Sequence, residues 1–309
     1  MIRVLAESDT QARKRTPIKS PLRVVLAALL AALLIFLGAK EKAVTRFTDG
    51  FYRYLTTGDF SAWNIPDGEL SVCFIDVGQA KAILIRSPGG KDMLIDTGSE
   101  DSVPQLLKYL EDSDVGKLDV LAVTHPHEDH IGGMNAVLAE YPAGKVYVSE
   151  TEGIAFPEGT DVKVPSDGNM IMLGGCTVTF IVPDTTSDDI NDRSLVIKLE
   201  YGDFSALFTG DIEKKTETLI LSNGYGIDID LLDVAHHGSD TSSTDAFLDA
   251  ATPSLAVISC GADNAFGHPS PYAVERFESR SIPIYRTDLD GSVIVSYSKK
   301  EGMSVKSSK

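Results

Sequence analysis

Twice along these 309 residues the chain runs through the same order of pieces: an apolar hairpin ending in aspartate, a helical stretch, and an apolar strand ending in histidine. In the first pass Ile83–Ile85 and Met93–Ile95 flank the turn signal Ser87-Pro88-Gly89-Gly90, and the second run ends in Asp96-Thr97-Gly98. Val103, Leu106, Leu107 and Leu110 then fall at helical spacing, and a buried strand Asp119–Thr124 ends at His125. In the second pass Leu195–Leu199 and Ala206–Phe208 flank Tyr201-Gly202-Asp203, and the hairpin ends in Thr209-Gly210-Asp211. A helix follows over Lys214–Leu221, and strand Leu231–Ala235 ends at His236. The Asp-to-His interval is 29 residues in the first pass and 25 in the second. Two such βαβ-like halves predict an α/β fold, two sheets packed as a sandwich with helices outside, whose strand-end residues converge on one edge.

The histidines fall on that edge. Of six in the chain, three lie in His125-Pro126-His127-Glu128-Asp129-His130, and the others in His236-His237-Gly238-Ser239 and Gly267-His268-Pro269. A neutral imidazole is the commonest metal ligand, and His-x-His-x-Asp-His packs four potential ligands onto one short loop. Ser239 and Ser242 have no base and orienting acid in triad-like order, so they read as turn and N-cap residues rather than nucleophiles. Gly132-Gly133 opens a helix after the histidine loop, either for close packing or for backbone N–H contact with an anion.

Charge divides the chain. Residues 1–46 hold nine Lys/Arg against three acids, a net of +6, so of the total of −17 the remainder carries −23. An acidic body repels polyanions at long range, which disfavours a nucleic-acid partner. Residues 1–23 form a basic leader expected to stay in the cytoplasm, and residues 24–39 are an uncharged run of 16. As a helix that run is about 24 Å long at roughly 1.5 Å per residue, extended by a snorkelling Arg23. Good small-residue cleavage pairs are lacking near Leu37-Gly38-Ala39, so the run is expected to be an uncleaved transmembrane signal anchor. The chain would then be a single-pass cell-membrane protein with residues 40–309 extracytoplasmic, the alternative being secretion after cleavage. Residues 40–69 are expected to be a juxtamembrane linker, either an interfacial amphipathic helix or a stalk. Residues 70–297 form the body, and 298–309 a disordered tail. Cys73, Cys176 and Cys260 each sit in an apolar run and read as small buried hydrophobes.

Thr124 to Gly133, with Asp96 before it and Gly210-Asp211 after it, resembles the metallo-β-lactamase superfamily, whose fold is the αββα sandwich. The segments Phe74-Ile-Asp-Val-Gly-Gln79, Asn191-Asp-Arg-Ser-Leu-Val196, Val234-Ala-His-His-Gly-Ser239, Phe266-Gly-His-Pro269 and Arg286-Thr-Asp288 resemble the C-terminal domain of ComEC/Rec2 competence proteins. A single anchor cannot form a DNA pore, so DNA uptake is not expected to travel with the resemblance. It implies a centre for two divalent ions, Zn or Mn: His125 and His127 on one, Asp129 and His130 on the other, Asp211 bridging. One of His236 and His237 completes the second site, His236 being favoured because it directly follows the strand. Two ions about 3.5–4 Å apart lower the pKa of a shared water from 15.7 towards roughly 7 and so supply a bridging hydroxide at neutral pH. Catalytic roles are implied for Asp129, Asn191 and His268, and supporting, ligand-orienting roles for Asp96, Asp76 and Ser194.

The chain departs from the superfamily pattern twice. No histidine lies between His130 and His236, where many members supply a third ligand to the first ion. A carboxylate or water in Asp188-Asp189-Ile190-Asn191-Asp192 would favour a harder ion such as Mn, or the segment is simply a solvated acidic turn. Gln79-Ala80-Lys81 stands where the ComEC-type pattern reads Gln-Gly-Asp or Gln-Ala-Asp. Lys81 would favour an anionic substrate if it approached the site and would be a surface exchange if it did not. The expected function is a membrane-anchored metal-dependent hydrolase acting on phosphoesters, phosphodiesterase- or nuclease-like. Lys81, Arg86, Lys91, Arg193, Arg276, Arg280 and Arg286 are candidates for a local basic path. Alternatives are a hydrolase of a small ester, lactone or thioester, and a non-catalytic surface module with a structural metal site. The Gly-, Pro- and acid-rich stretch Glu150–Met170 is expected to shape the site mouth, and no protein partner is inferable.

Overall fold

The structure, a computed structural model, describes residues 68–183 and 187–309. The expected leader, the anchor run 24–39 and the linker as far as residue 67 lie outside the described residues. Among the described residues no helix is long and apolar enough to cross a membrane.

The central strands of both sheets are buried on both faces, which explains why they read as near-continuous apolar runs. In β1 (Leu70–Phe74), β2 (Ile83–Arg86), β3 (Asp92–Ile95) and β4 (Leu118–Val123), alternate residues face opposite ways. Val72, Phe74, Ile83, Ile85, Met93 and Ile95 point into the space between the sheets. Cys73, Leu84, Leu94 and Leu121 point outward, under Leu106 and Leu110 of helix α1 (Val103–Asp112). The first sheet continues through β5 (Ala143–Val148) and β6 (Val162–Lys163). The second contains β7 (Asn169–Leu173), β8 (Cys176–Ile181), β9 (Val196–Tyr201), β10 (Phe204–Phe208), β11 (Leu231–Asp233), β12 (Leu255–Ile258) and β13 (Ile284–Arg286). Its inner face meets the first sheet through Phe208 against Phe74, ring centroids 6.5 Å apart, and Phe180 stacked on Tyr147 at 4.5 Å. Its outer face lies under a separate apolar cluster that includes Ile220, Phe247 and Phe277 from three helices. The layers are helix, sheet, sheet, helix, the αββα order expected.

The repeat in the sequence is a repeat in topology. Hairpin β2–β3 is antiparallel, with Ile83 opposite Ile95, and β3 then pairs parallel with β4. Hairpin β9–β10 is antiparallel, with Ile197 opposite Phe208, and β10 pairs parallel with β11. Each parallel pair places its Asp-bearing and His-bearing ends at the same edge.

One expectation is corrected. Residues 298–309 were expected to be a disordered tail, yet Gly302–Ser307 form strand β15, which pairs antiparallel with β14 (Val293–Ser298), itself paired with β1. The Lys/Ser-rich composition hides an alternation: Met303 and Val305 face the inter-sheet core, and the polar residues between them face outward. The three cysteines are buried and free.

Candidate metal centre

The strand-end residues of both halves meet. His130 Nε2 lies 3.3 Å from His237 Nε2 and 3.3 Å from Asp211 Oδ2, and His237 Nε2 lies 3.2 Å from Asp129 Oδ2 and 3.5 Å from Asp211 Oδ2. His125 Nε2 faces His127 Nδ1 at 3.1 Å. His125, His130 and Asp211 form one group with the spacing to hold a metal ion, and Asp129, His130 and His237 form another.

Hydrogen bonds at the far sides of the rings set their tautomers. His237 Nδ1 lies 2.8 Å from the Ser259 carbonyl, which can only accept, so Nδ1 carries a hydrogen and Nε2 faces the cluster, its lone pair free once a second proton is lost. His130 Nδ1 lies 2.7 Å from Asp96 Oδ2, with the same consequence for its Nε2 once the second proton is lost. Asp96 is itself fully buried and accepts from Thr124 N at 2.7 Å and Thr124 Oγ1 at 2.9 Å. Nitrogen lone pairs facing one another between two carboxylates suit a divalent ion, so the donor set fits a divalent-metal centre, with His130 common to both groups and His127 in neither.

Without an ion the centre is held by protons. Burial disfavours the His130 imidazolium, but Asp211 and Asp96 outweigh it and push its pKa up to about 10. Burial also works against the Asp129 carboxylate, yet the His237 hydrogen bond and the His130 and His237 charges bring it down to about 2. Asp211 is likewise held well below the usual carboxylate range, burial being overcome by His130 and His237. His125 is depressed well below the usual imidazole value by burial and the neighbouring His130 charge.

The backbone around the second histidine pair is unusual. His236 and His237 have φ of 51° and 53°, consecutive left-handed residues that cost roughly 1–2 kcal/mol each. This turn directs His237 into the cluster and His236 out towards Glu213, 3.3 Å from its Oε1. The preference for His236 drawn from its place after the strand therefore runs against the geometry. Gly210 occupies the floor, where a Cβ would come within 2.8 Å of the Ser194 side chain and 2.9 Å of Thr124.

The remaining candidates divide. Ser194 Oγ lies 3.3 Å from His125 Nδ1 and accepts from Asp211 N at 3.2 Å, so it braces both. Asn191 is buried, and its Oδ1 has no hydrogen-bond partner among the described residues. It lies in the turn whose Ser194 N donates to the Asn191 carbonyl at 3.0 Å. Asp192 is turned to the helix Lys214–Asn223 instead, its Oδ1 accepting from Glu213 N and Thr216 N. His268 stands at the rim, its ring 5.5 Å from that of His236 and 6.5 Å from that of His237, and burial followed by the charges of these two lowers its pKa. Asp76 is taken up by Gly78 N and Lys309 Nζ, contacts that orient a turn and not a ligand. The helix after Ser242 is capped by Thr244, whose side chain accepts from Phe247 N.

Both expectations for Lys81 are overturned, because its side chain is completely buried beneath the centre and can neither meet substrate nor sit on the surface. The rest of the expected basic path is engaged locally by acids or carbonyls. Arg86 pairs with Asp92, Lys91 with Asp119, Arg193 with Glu150, Arg280 with Asp245 and Asp249, and Arg286 with Asp288. Arg276 donates to the carbonyls of Ser242 and Asp240. The burial of Lys81 and its acidic partners was not legible in the sequence, where the one signal was the acid-to-base exchange in Gln79-Ala80-Lys81.

The family model described as "Metallo-beta-lactamase superfamily" matches residues 75–262. Competence protein ComA of Neisseria gonorrhoeae is 31% identical over 281 residues, 89% of this chain and 38% of that protein. ComE operon protein 3 of Bacillus subtilis is 28% identical over 264 residues, 76% of this chain and 34% of that protein. The chain thus spans about a third of the length of these relatives. Among solved structures, the metallo-beta-lactamase fold protein YhfI from Bacillus subtilis aligns with a TM-score of 0.48 and 14% identity, covering 71% of this chain and 96% of that one.

Proposed function

Because the chain belongs to the metallo-beta-lactamase superfamily, we propose that it is a metal-dependent hydrolase of phosphodiester bonds. The observation that carries this reading is the convergence of His130, His237, Asp129 and Asp211, contributed by two halves of the chain, with nitrogen and oxygen donors 3.2–3.5 Å apart. Likeness to a relative named Competence protein ComA supports phosphodiesters as the bond class. Two divalent ions held there would supply Lewis acidity and an activated water.

The chain's own residues do the rest. Asp96 and Ser259 fix the imidazoles of His130 and His237 with their Nε2 atoms inward, and Ser194 steadies both His125 and the backbone of Asp211. His268, neutral at neutral pH because its pKa is lowered, is placed at the rim to hydrogen-bond a phosphate oxygen or the departing group. Asn191 offers a buried side-chain carbonyl oxygen that has no partner among the described residues, in the turn that braces His125. In the same reading residues 24–39 anchor the chain with the hydrolase domain outside the membrane, supported by the charge asymmetry about that run.

A specific observation favours the second reading, a small ester, lactone or thioester: the expected basic path is engaged with acids or carbonyls, leaving little to bind a long polyanion. Hydrolysis of bis(p-nitrophenyl) phosphate and single-stranded DNA by the full chain, stripped and resupplied with Mn²⁺ or Zn²⁺, tests the first reading. Turnover should return with metal and be lost in Asp129→Ala. Metal binding without phosphodiester turnover would transfer the proposal to small esters. Steep loss with added salt would mark a polyanionic substrate, and indifference to salt a small one.

A further inference from the structure

A fully buried lysine is rare, because an ammonium removed from water is stable only when charge partners and hydrogen-bond acceptors surround it. Lys81 has them. Its Nζ donates to Asp233 Oδ2 and the Gly210 carbonyl, each at 3.0 Å, and to the Val234 carbonyl at 3.4 Å, and it lies 3.8 Å from Asp211 Oδ1. Its backbone N donates to the Asp129 carbonyl at 3.0 Å, and its carbonyl accepts from Gly98 N at 2.8 Å. One residue therefore reaches the histidine loop, the turn after Asp96, and the strand ends that carry Asp211 and His236-His237. Burial works against its charge, but Asp233, Asp211 and Asp96 together raise its pKa and keep it an ammonium.

Asp211 shows what this accomplishes. Its Oδ2 faces His130 and His237, while its Oδ1 accepts no hydrogen bond among the described residues and looks at the Lys81 ammonium. Rotation of the carboxylate would exchange an oxygen held among imidazoles for one drawn to the ammonium behind it. The preceding carbonyl, Gly210, is pinned by the same ammonium. We propose that Lys81 is the positioning residue of the metal centre: it fixes Asp211 from behind and ties the two half-sites together, as one charge unit with Asp233. An acid at position 81, as in the pattern this chain resembles, would instead crowd three carboxylates against one another, so here the base at 81 and the acid at 233 belong together. This rests on the metal-centre reading.

Three forms of the full chain decide it: wild type, Lys81→Met, and Lys81→Asp combined with Asp233→Lys. Two measurements are made: calorimetry for Mn²⁺ affinity and stoichiometry, and the ¹⁵N imidazole signals of His130 and His237 in metal-free protein. Lys81→Met should weaken binding of the Asp211-dependent ion by about 10–100-fold, the usual effect of removing a residue that orients a ligand. It should also displace both imidazole signals. The reciprocal exchange should recover most of the affinity and return the signals, which a lysine of merely structural value would not require. Wild-type affinity and unmoved signals in Lys81→Met, or an exchange variant no better than Lys81→Met, would overturn the proposal. Should Lys81→Met fail to fold, the exchange variant still decides: near-wild-type imidazole signals support the assignment and displaced signals overturn it. Absence of Mn²⁺ binding in wild type would sink the metal reading alone, since the imidazole signals are compared without metal.

Discussion

Both carboxylate oxygens of Asp96 are occupied by groups that aim the histidine loop: Thr124 through its backbone and hydroxyl, and His130 through Nδ1. Asp96→Asn keeps the size but can present an N–H where the His130 N–H now points, so we expect about a 10–100-fold loss of metal affinity, measured by calorimetry. The two adjacent histidines make the sharper residue-level case. His237→Ala removes an Nε2 that faces Asp129 and Asp211, and should weaken the second ion by more than that range. His236→Ala removes a ring that faces Glu213, and should weaken it by less; equal losses would show that both rings bind. The histidine cluster itself was legible because ligand types at short spacing are written directly in the chain. Which of two neighbours turns inward was not, because that depends on consecutive left-handed backbone angles stabilised by groups distant in sequence, His236 N on the Gly210 carbonyl and His237 Nδ1 on the Ser259 carbonyl.

At the scale of elements, the buried carboxylate of the acidic segment 188–192 serves a helix. Asp192 is buried and accepts from Glu213 N and Thr216 N at the start of Lys214–Asn223, while its backbone carbonyl accepts from Thr216 Oγ1 at 2.7 Å. Asp192→Ala should lower unfolding stability by about 0.5–2 kcal/mol, as loss of a helix-capping acceptor does, and leave metal affinity unchanged. Urea denaturation beside metal titration checks both halves, and a large drop in affinity would return Asp192 to the ligand set. The hairpins and parallel pairs that carry Asp96 and Asp211 were legible because apolar runs broken by Gly and Pro signal strands and turns. Strand β15 was not, because only Met303 and Val305 of its residues reach the core, and a lysine- and serine-rich surface conceals so short an alternation. Lys81 escaped for a related reason: burial of a charge is decided by Asp211 and Asp233, residues more than a hundred positions away, which no local pattern reports.

For the whole molecule, folding brings the charges of two halves into one buried cluster, so stability without metal must follow pH on both sides of an optimum. On the alkaline side, His130 has a folded pKa of about 10 against an ordinary value of 6.5. A raised pKa contributes stability that is complete below the unfolded value and is lost as pH rises through the folded one, here from 6.5 towards 10. On the acid side, His125 is depressed well below 6.5, so its contribution is present above that value and is lost as pH falls beneath it. Asp129, at about 2 against 3.8, and Asp211, also depressed, extend the acid loss below the ordinary carboxylate value. The metal-free chain should therefore melt highest near the ordinary imidazole pKa and lower in both directions. A divalent ion on His130 Nε2 replaces the proton that the alkaline limb removes, so saturating Mn²⁺ should raise the melting temperature most above pH 7 and flatten that limb. Calorimetry at pH 7 in buffers of different ionisation enthalpy should show about one proton released for the ion bound to His130. An alkaline limb unchanged by Mn²⁺, with no proton released, would mean that His130 remains an imidazolium paired with Asp211 and Asp96 and that the ion, if bound, is held elsewhere.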